Sequence, residues 1–241
     1  MLKTSSPENW KHKSESQEKV DAGKITHSRL LSEEVKRWWI HDFMGPLERF
    51  LIFRKIKPNA LSLTGLFINT ISAVFIGLDF LIPGGWLLFL AGSFDFLDGR
   101  IARSTNQVSA SGGFFDSVLD RYMDLSIFFG LAYLFQNSPA IWLVYLCILG
   151  SVTTSYVRAK SESLGIPCSG GAMQRPERIF YIGAGCVISG YYEALRLPFE
   201  SADYSYHNGF LILILGVIAV ASNYVGLTRF YQTFQKLKEK N

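Results

Sequence analysis

The sequence predicts an all-α integral membrane protein: six transmembrane helices preceded by a cytoplasmic amphipathic interfacial helix. Three observations lead there. Charged residues make up only 18% of the 241-residue chain, against about 25% in a soluble domain. The charge is also segregated, since residues 1–57 hold twelve of the 24 Lys and Arg while 58–99 hold none. After Pro58 come six apolar stretches, each near the roughly 17–25 residues needed to cross a bilayer core of about 30 Å.

Residues 1–28 are rich in Ser, Lys, Glu and His without an apolar period, which reads as a mobile cytoplasmic tail. Residues 29–57 mix Trp38, Trp39, Phe43, Leu47, Phe50, Leu51 and Phe53 with Lys and Arg. That composition suits a juxtamembrane helix at the lipid interface, rings near the headgroups and cations toward anionic lipid. A plain amphipathic linker has the same composition, and Pro46 divides the segment. The six spans fall near 60–80, 83–103, 113–135, 139–161, 176–195 and 208–231, within a six-helix domain over 58–235. Residues 236–241 form a basic cytoplasmic tail. Span ends on the side of the basic head carry many Lys and Arg, whereas the connections near 80–83, 136–139 and 196–207 offer only Arg196. By the positive-inside rule both termini are cytoplasmic, and the location is the cell (inner) membrane.

Several function classes are disfavoured. The net charge of +4 is small and its cations are scattered, so no nucleic-acid partner is expected. The three cysteines, Cys147, Cys168 and Cys186, lack a C-x-x-C spacing, which gives neither a disulfide framework nor a zinc site. The N-terminus has no signal-peptide core, leaving insertion to the internal spans.

The chemistry is concentrated in residues 95–120, DFLDGRIARSTNQVSASGGFFDSVLD. Asp95 and Asp98 are three apart, Asp116 and Asp120 four apart. On helices each spacing stacks two carboxylates on one face, and a short loop lets the two pairs converge. Four carboxylates at a membrane boundary cannot all remain ionised without cations. An all-oxygen ligand set suits Mg²⁺ or Mn²⁺, and the charge matches two divalent ions, a known clamp for in-line phosphoryl displacement. Gly99 leaves room for a ligand at the helix backbone, and Ala102 admits a flat base one turn on. Gly112 opens the next helix without a Cβ, and Arg103 can fork onto a phosphate. The plainer reading pairs these acids with Arg100, Arg103 and Arg121. Asp124, one turn beyond Asp120, reads as a partner for Arg121 or a supporting group.

This stretch resembles the D-x-x-D-G-x-x-A-R-x(8)-G-x-x-x-D-x-x-x-D signature of the CDP-alcohol phosphotransferases, with Asp95, Asp98, Gly99, Ala102, Arg103, Gly112, Asp116 and Asp120 filling every position. The resemblance covers roughly 55–235. It implies a six-span enzyme, often a homodimer in membrane lipid, that transfers a phosphoalkyl group from a CDP-alcohol, usually CDP-diacylglycerol, to an acceptor hydroxyl and releases CMP. It further implies that Asp95, Asp98, Asp116 and Asp120 ligate the metals, with Asp120 also the general base. Gly99, Ala102 and Arg103 would contact the CDP moiety, together with Gly112. Pro58, Asn59, Ser62 and Thr64 resemble the family's entry to the first span, bordering the nucleotide; Asn59 as a simple helix cap fits equally.

Arg158, Lys160, Arg175, Arg178 and Arg229 reach the same depth from three helices, a cluster suited to an acceptor carrying its own phosphate. Anchoring at the headgroups is the simpler account, above all for Lys160 and Arg175. The segments resemble the phosphatidylinositol-phosphate synthase branch, which implies that Arg158, Arg178 and Arg229 hold an inositol phosphate, with Pro176 beside them. Arg158 stands where that branch has Lys, and Lys160 where it has Arg. Glycerol 3-phosphate, giving phosphatidylglycerophosphate, is the second acceptor to consider. A divalent-cation transporter is the alternative of another class, but an ion path would spread polar groups across the bilayer, and here they gather at one face.

Overall fold

The computed structural model describes residues 45–54, 56–168, 173–196 and 208–240. The tail over 1–28 and the juxtamembrane segment up to residue 44 lie outside the described residues. Seven helices and no strand occur among the described residues: α1 (Gly45–Phe53), α2 (Pro58–Gly77), α3 (Leu81–Ser104), α4 (Ala110–Leu134), α5 (Ile141–Ser163), α6 (Arg175–Arg196) and α7 (Gly209–Lys240). All six expected apolar stretches are helical.

Local chemistry sets the helix ends. Pro58 opens α2 behind an extended Lys57, where its missing N–H costs nothing. Asn59 therefore sits inside the first turn and is not the cap. Asp79, with φ of 66°, turns the chain tightly from α2 into α3. Ser109 caps α4 by accepting from the Gly112 N–H at 3.1 Å, satisfying one of the orphan donors of the first turn. The expected basic tail over 236–241 continues α7 as far as Lys240. Phe230 stacks on Phe234 with ring centroids 6.0 Å apart, and Lys238 lies 4.9 Å over the Phe234 ring, so the side chains of successive turns hold the extension together.

α2 packs on α3 and α4, α3 on α6, α5 on α4 and α7, and α6 on α7. The core they share is apolar and includes Ile76, Leu88, Phe128, Leu131, Val144, Leu211 and Leu215. Where lipid removes the hydrophobic drive between helices, close backbone approach and interhelical hydrogen bonds take over. A Cβ on Gly130 would overlap the Ala73 carbonyl oxygen, and one on Gly85 would lie 2.7 Å from that of Gly183. The helices are stitched by Asn69 donating to the Met123 carbonyl at 2.8 Å, Ser72 to that of Gly84 at 2.7 Å and Thr154 to that of Ser222 at 3.0 Å. Large apolar side chains such as Phe67, Trp142, Leu213 and Val220 point outward.

Four of these helices, α2, α3, α5 and α7, are long and apolar enough to cross a membrane. α4 and α6 are as long, but their composition is diluted by charge: α4 carries Asp116, Asp120, Arg121 and Asp124, and α6 opens on Arg175, Glu177 and Arg178. Apart from Glu177, which accepts from the Gln174 N–H at 2.9 Å, those residues gather around the candidate site.

The substitution Gly130→Leu is expected to cost at least about 1–3 kcal/mol, since overpacking here strikes backbone. Thermal unfolding in detergent should show a lower Tm. Gly216→Ala, whose Cβ meets nothing within 4 Å, should leave Tm unchanged or slightly higher.

Candidate active site

α3 ends and α4 begins at one short turn, and α2 packs against both helices, which brings their carboxylates to the same place. Single carboxylate oxygens of Asp95, Asp98 and Asp116 all lie within 4.8 Å of one another. At that separation two full charges repel by about 3.5 kcal/mol even at an effective dielectric near 20. Asp98 is buried, and Ser62 of α2 donates to it at 2.5 Å. One hydroxyl cannot neutralise three acids. Hard oxygen donors converging this closely fit a divalent ion such as Mg²⁺ or Mn²⁺.

Asp120 is placed differently. Its carboxylate takes a salt bridge from Arg175 at 2.5 Å, and the same guanidinium nitrogen bonds Asp95 at 2.7 Å. The Arg175 Nε lies 3.4 Å from Asp124. Arg175, which the sequence suggests is an anchor, thus ties α6 to both helices of the acid cluster. Of the cations named in the plainer reading, Arg100 pairs instead with Glu48 of α1 at 2.8 Å, while Arg121 makes a long ion pair with Asp120 at 3.9 Å.

Asp124 forms a second buried knot. It accepts from Arg178 at 2.5 Å and from Ser151 of α5 at 2.9 Å. Arg178 also donates to the Met173 carbonyl at 3.2 Å. Asp124 is therefore not the partner of Arg121; it fixes the arginine expected to face the acceptor.

The remaining predicted residues line two sides. Of the residues expected to contact the nucleotide, Gly99, Ala102, Arg103 and Gly112 are half-buried and Asn59 is exposed. A Cβ on Gly99 would lie 3.4 Å from the Arg103 guanidinium, so Arg103 folds back across the bare backbone of the previous turn. A Cβ on Gly112 would come within 4.0 Å of the Asn59 side-chain oxygen, which brings the start of α2 to the start of α4. On the other side, Arg229 of α7 is buried and donates to the Thr154 carbonyl at 3.2 Å. Arg158 and Arg178 both lie close enough to act on it electrostatically. Arg158 is exposed and pairs with Glu162 at 2.9 Å, one turn along α5. Pro176 is exposed in the first turn of α6.

Sequence reasoning missed the bridging role of Arg175 and the contribution of Ser151, and it did not see Ser62 as a donor to Asp98. Arg175 sits beside the Pro176 and Arg178 already singled out, but only tertiary structure shows which way it turns. Removing one half of the Asp124–Arg178 pair strands a buried charge, typically at a cost of about 3–5 kcal/mol. Asp124→Ala should accordingly lower Tm sharply, whereas the double replacement Asp124→Leu with Arg178→Met should recover most of the loss in the same unfolding assay.

Residues 55–200 match the CDP-alcohol phosphatidyltransferase family. The chain is 32% identical over 209 residues to the archaetidylinositol phosphate synthase of Methanothermobacter thermautotrophicus, covering 85% of this chain and 99% of that protein. It is 29% identical over 168 residues to the phosphatidylinositol phosphate synthase of Mycobacteroides abscessus, covering 68% and 74%. Its fold is similar to the crystal structure of Mycobacterium tuberculosis phosphatidylinositol phosphate synthase with CDP-DAG bound, at a TM-score of 0.67 and 24% identity over 80% of this chain and 94% of that one. The same enzyme in complex with manganese and citrate gives a TM-score of 0.68, again at 24% identity, over 80% and 89%. With an unbroken eight-position signature, a family match across most of the apolar domain and three of the signature's four carboxylates gathered together, this chain belongs to the CDP-alcohol phosphatidyltransferase family.

Proposed function

We propose that the enzyme transfers the phosphatidyl group of CDP-diacylglycerol to an inositol phosphate, releasing CMP and forming phosphatidylinositol phosphate. The observation that carries this reading is the juxtaposition of the convergent Asp95, Asp98 and Asp116 with an arginine group formed by Arg158, Arg178 and Arg229. A carboxylate cluster alone suits any CDP-alcohol; the arginines call for an acceptor with its own phosphate. The inositol phosphate synthases among the relatives favour inositol phosphate over glycerol 3-phosphate.

In this reading α4 and α6 complete a set of six spans, with both termini and the site on the cytoplasmic side of the inner membrane. The asymmetry of Lys and Arg supports that orientation. α1 rests at the interface, and the working unit in lipid is a homodimer. CDP-diacylglycerol enters from the side, keeping its acyl chains in the bilayer. Asn59, Gly99, Ala102, Arg103 and Gly112 receive the CDP moiety, the small residues because they leave the backbone bare.

Asp95, Asp98 and Asp116 would hold the divalent ions, with Asp120 joining them. Such ions, when bound, supply positive charge that offsets the pyrophosphate and the leaving CMP. Asp120 takes the proton of the acceptor hydroxyl. The acceptor oxygen forms a bond to the β-phosphorus, the bond between that phosphorus and the bridging oxygen breaks, and CMP carries the electron pair away. Arg158, Arg178 and Arg229 orient the acceptor through its phosphate.

The test is CMP release by the purified chain in detergent with CDP-diacylglycerol and Mn²⁺ or Mg²⁺. Inositol 1-phosphate should support release; free inositol and serine should not. Release with glycerol 3-phosphate instead would keep the reaction and replace the acceptor. Chelation should abolish turnover and re-addition of the metal restore it. Asp120→Asn should lower kcat by about 10²-fold or more while leaving Tm near that of the parent, and an active variant would remove Asp120 from its role. Arg229→Gln should raise KM for the acceptor far more than KM for CDP-diacylglycerol.

A further inference from the structure

The Arg175 guanidinium stands between Asp95 and Asp120, two carboxylates that the two-ion reading assigns to metal. It is largely buried, with 11% of its side chain exposed. One nitrogen of it serves Asp95 on α3 and Asp120 on α4 together, at 2.7 and 2.5 Å. Asp98 is held by Ser62, and Asp116 converges with Asp95 and Asp98 to within 4.8 Å. Asp95, Asp98 and Asp116 form a group suited to one ion, with Asp95 shared with Arg175, while Asp120 lies outside that group on the same guanidinium.

The geometry points to Arg175 as a resident counter-ion that competes with the second divalent ion for Asp120. The inference rests on the metal-dependent reading above and concerns the order of loading. Charge makes the competition sensible. With Asp124 neutralised by Arg178, the four remaining acids and Arg175 carry a net charge of three minus. One divalent ion in the three-carboxylate group leaves one minus. A second would make the site positive, which is favourable only once the anionic pyrophosphate arrives. Without nucleotide, Arg175 supplies a single charge that needs no ion from solution. Were a second ion to bind together with the nucleotide, Asp120 would exchange the guanidinium for it and become available to the acceptor hydroxyl. Arg175 is thus a positioning residue: it acts on the reaction through Asp120.

A purely structural tie between α6 and the α3–α4 pair would also require Arg175, so stability cannot separate the two roles. Metal binding can. The experiment titrates nucleotide-free, full-length protein in detergent with Mn²⁺ alone and follows free Mn²⁺ by electron paramagnetic resonance. The parent should bind one Mn²⁺ per chain in the accessible range, with a second only at much higher concentration. Arg175→Gln, which removes the charge and keeps a polar side chain, should tighten the second ion by about tenfold or more, a coupling within the usual span for linked sites. In the parent background Asp120→Asn should leave the first ion unchanged, since Asp120 is not yet a ligand; this arm decides the matter if Arg175→Gln fails to fold. Two equivalent ions in the parent, no gain in Arg175→Gln, or a weakened first ion in Asp120→Asn would each overturn the inference while leaving a metal enzyme in place. Failure of every form to bind Mn²⁺ would instead bring down the metal reading beneath it.

Discussion

Mutual repulsion among carboxylates at the ends of two adjacent helices is the constraint on which the rest of this structure depends. Asp95, Asp98 and Asp116 are brought within 4.8 Å of one another on helices whose bodies pack around an apolar core. Left alone, that arrangement would drive the helices apart or force the acids to take up protons. The fold answers with several separate devices. Ser62 donates to the most buried carboxylate, Arg175 crosses from α6 to hold Asp120 and Asp95, and Arg178 with Ser151 holds Asp124. A residual negative charge remains, and a divalent ion suits it.

The helix packing serves this placement. Gly130 allows α4 to press on α2 at Ala73, and Gly85 allows α3 to press on α6 at Gly183. Both contacts are backbone to backbone, so the positions of α3 and α4 are set with little slack. Asn69 reinforces the first by bonding the Met123 carbonyl, adjacent in sequence to Asp124. The rigid half of each helix thus lies in its apolar body, and the charged half is carried on it. Function and membrane packing meet in the same two helices, which is why α4 carries Asp116, Asp120, Arg121 and Asp124 along an otherwise apolar length.

Much of this was legible beforehand, for identifiable reasons. The helices were visible because lipid-sized apolar stretches leave a strong compositional trace. The aspartates were visible because three- and four-residue spacings fix them to one helix face whatever the tertiary detail. Side-chain direction was not. Arg175 and Arg178 lie three residues apart on α6, and the sequence offered one as an anchor and the other as a phosphate ligand. In the structure both turn inward to different acids, Asp120 with Asp95 for the first and Asp124 for the second. Asn59 similarly looked like a possible cap, but Pro58 begins the helix one residue earlier. Periodicity gives the face of a residue; which of two nearby opposite charges it will choose depends on distances that only packing determines.

The central claim is that the convergent carboxylates of α3 and α4 are a metal site. Its most direct test is diffraction at the manganese absorption edge from crystals of this protein grown with Mn²⁺. The account predicts an anomalous peak within coordination distance of Asp95, Asp98 and Asp116. Ordered carboxylates with no peak among them, or a peak confined to another part of the chain, would contradict it.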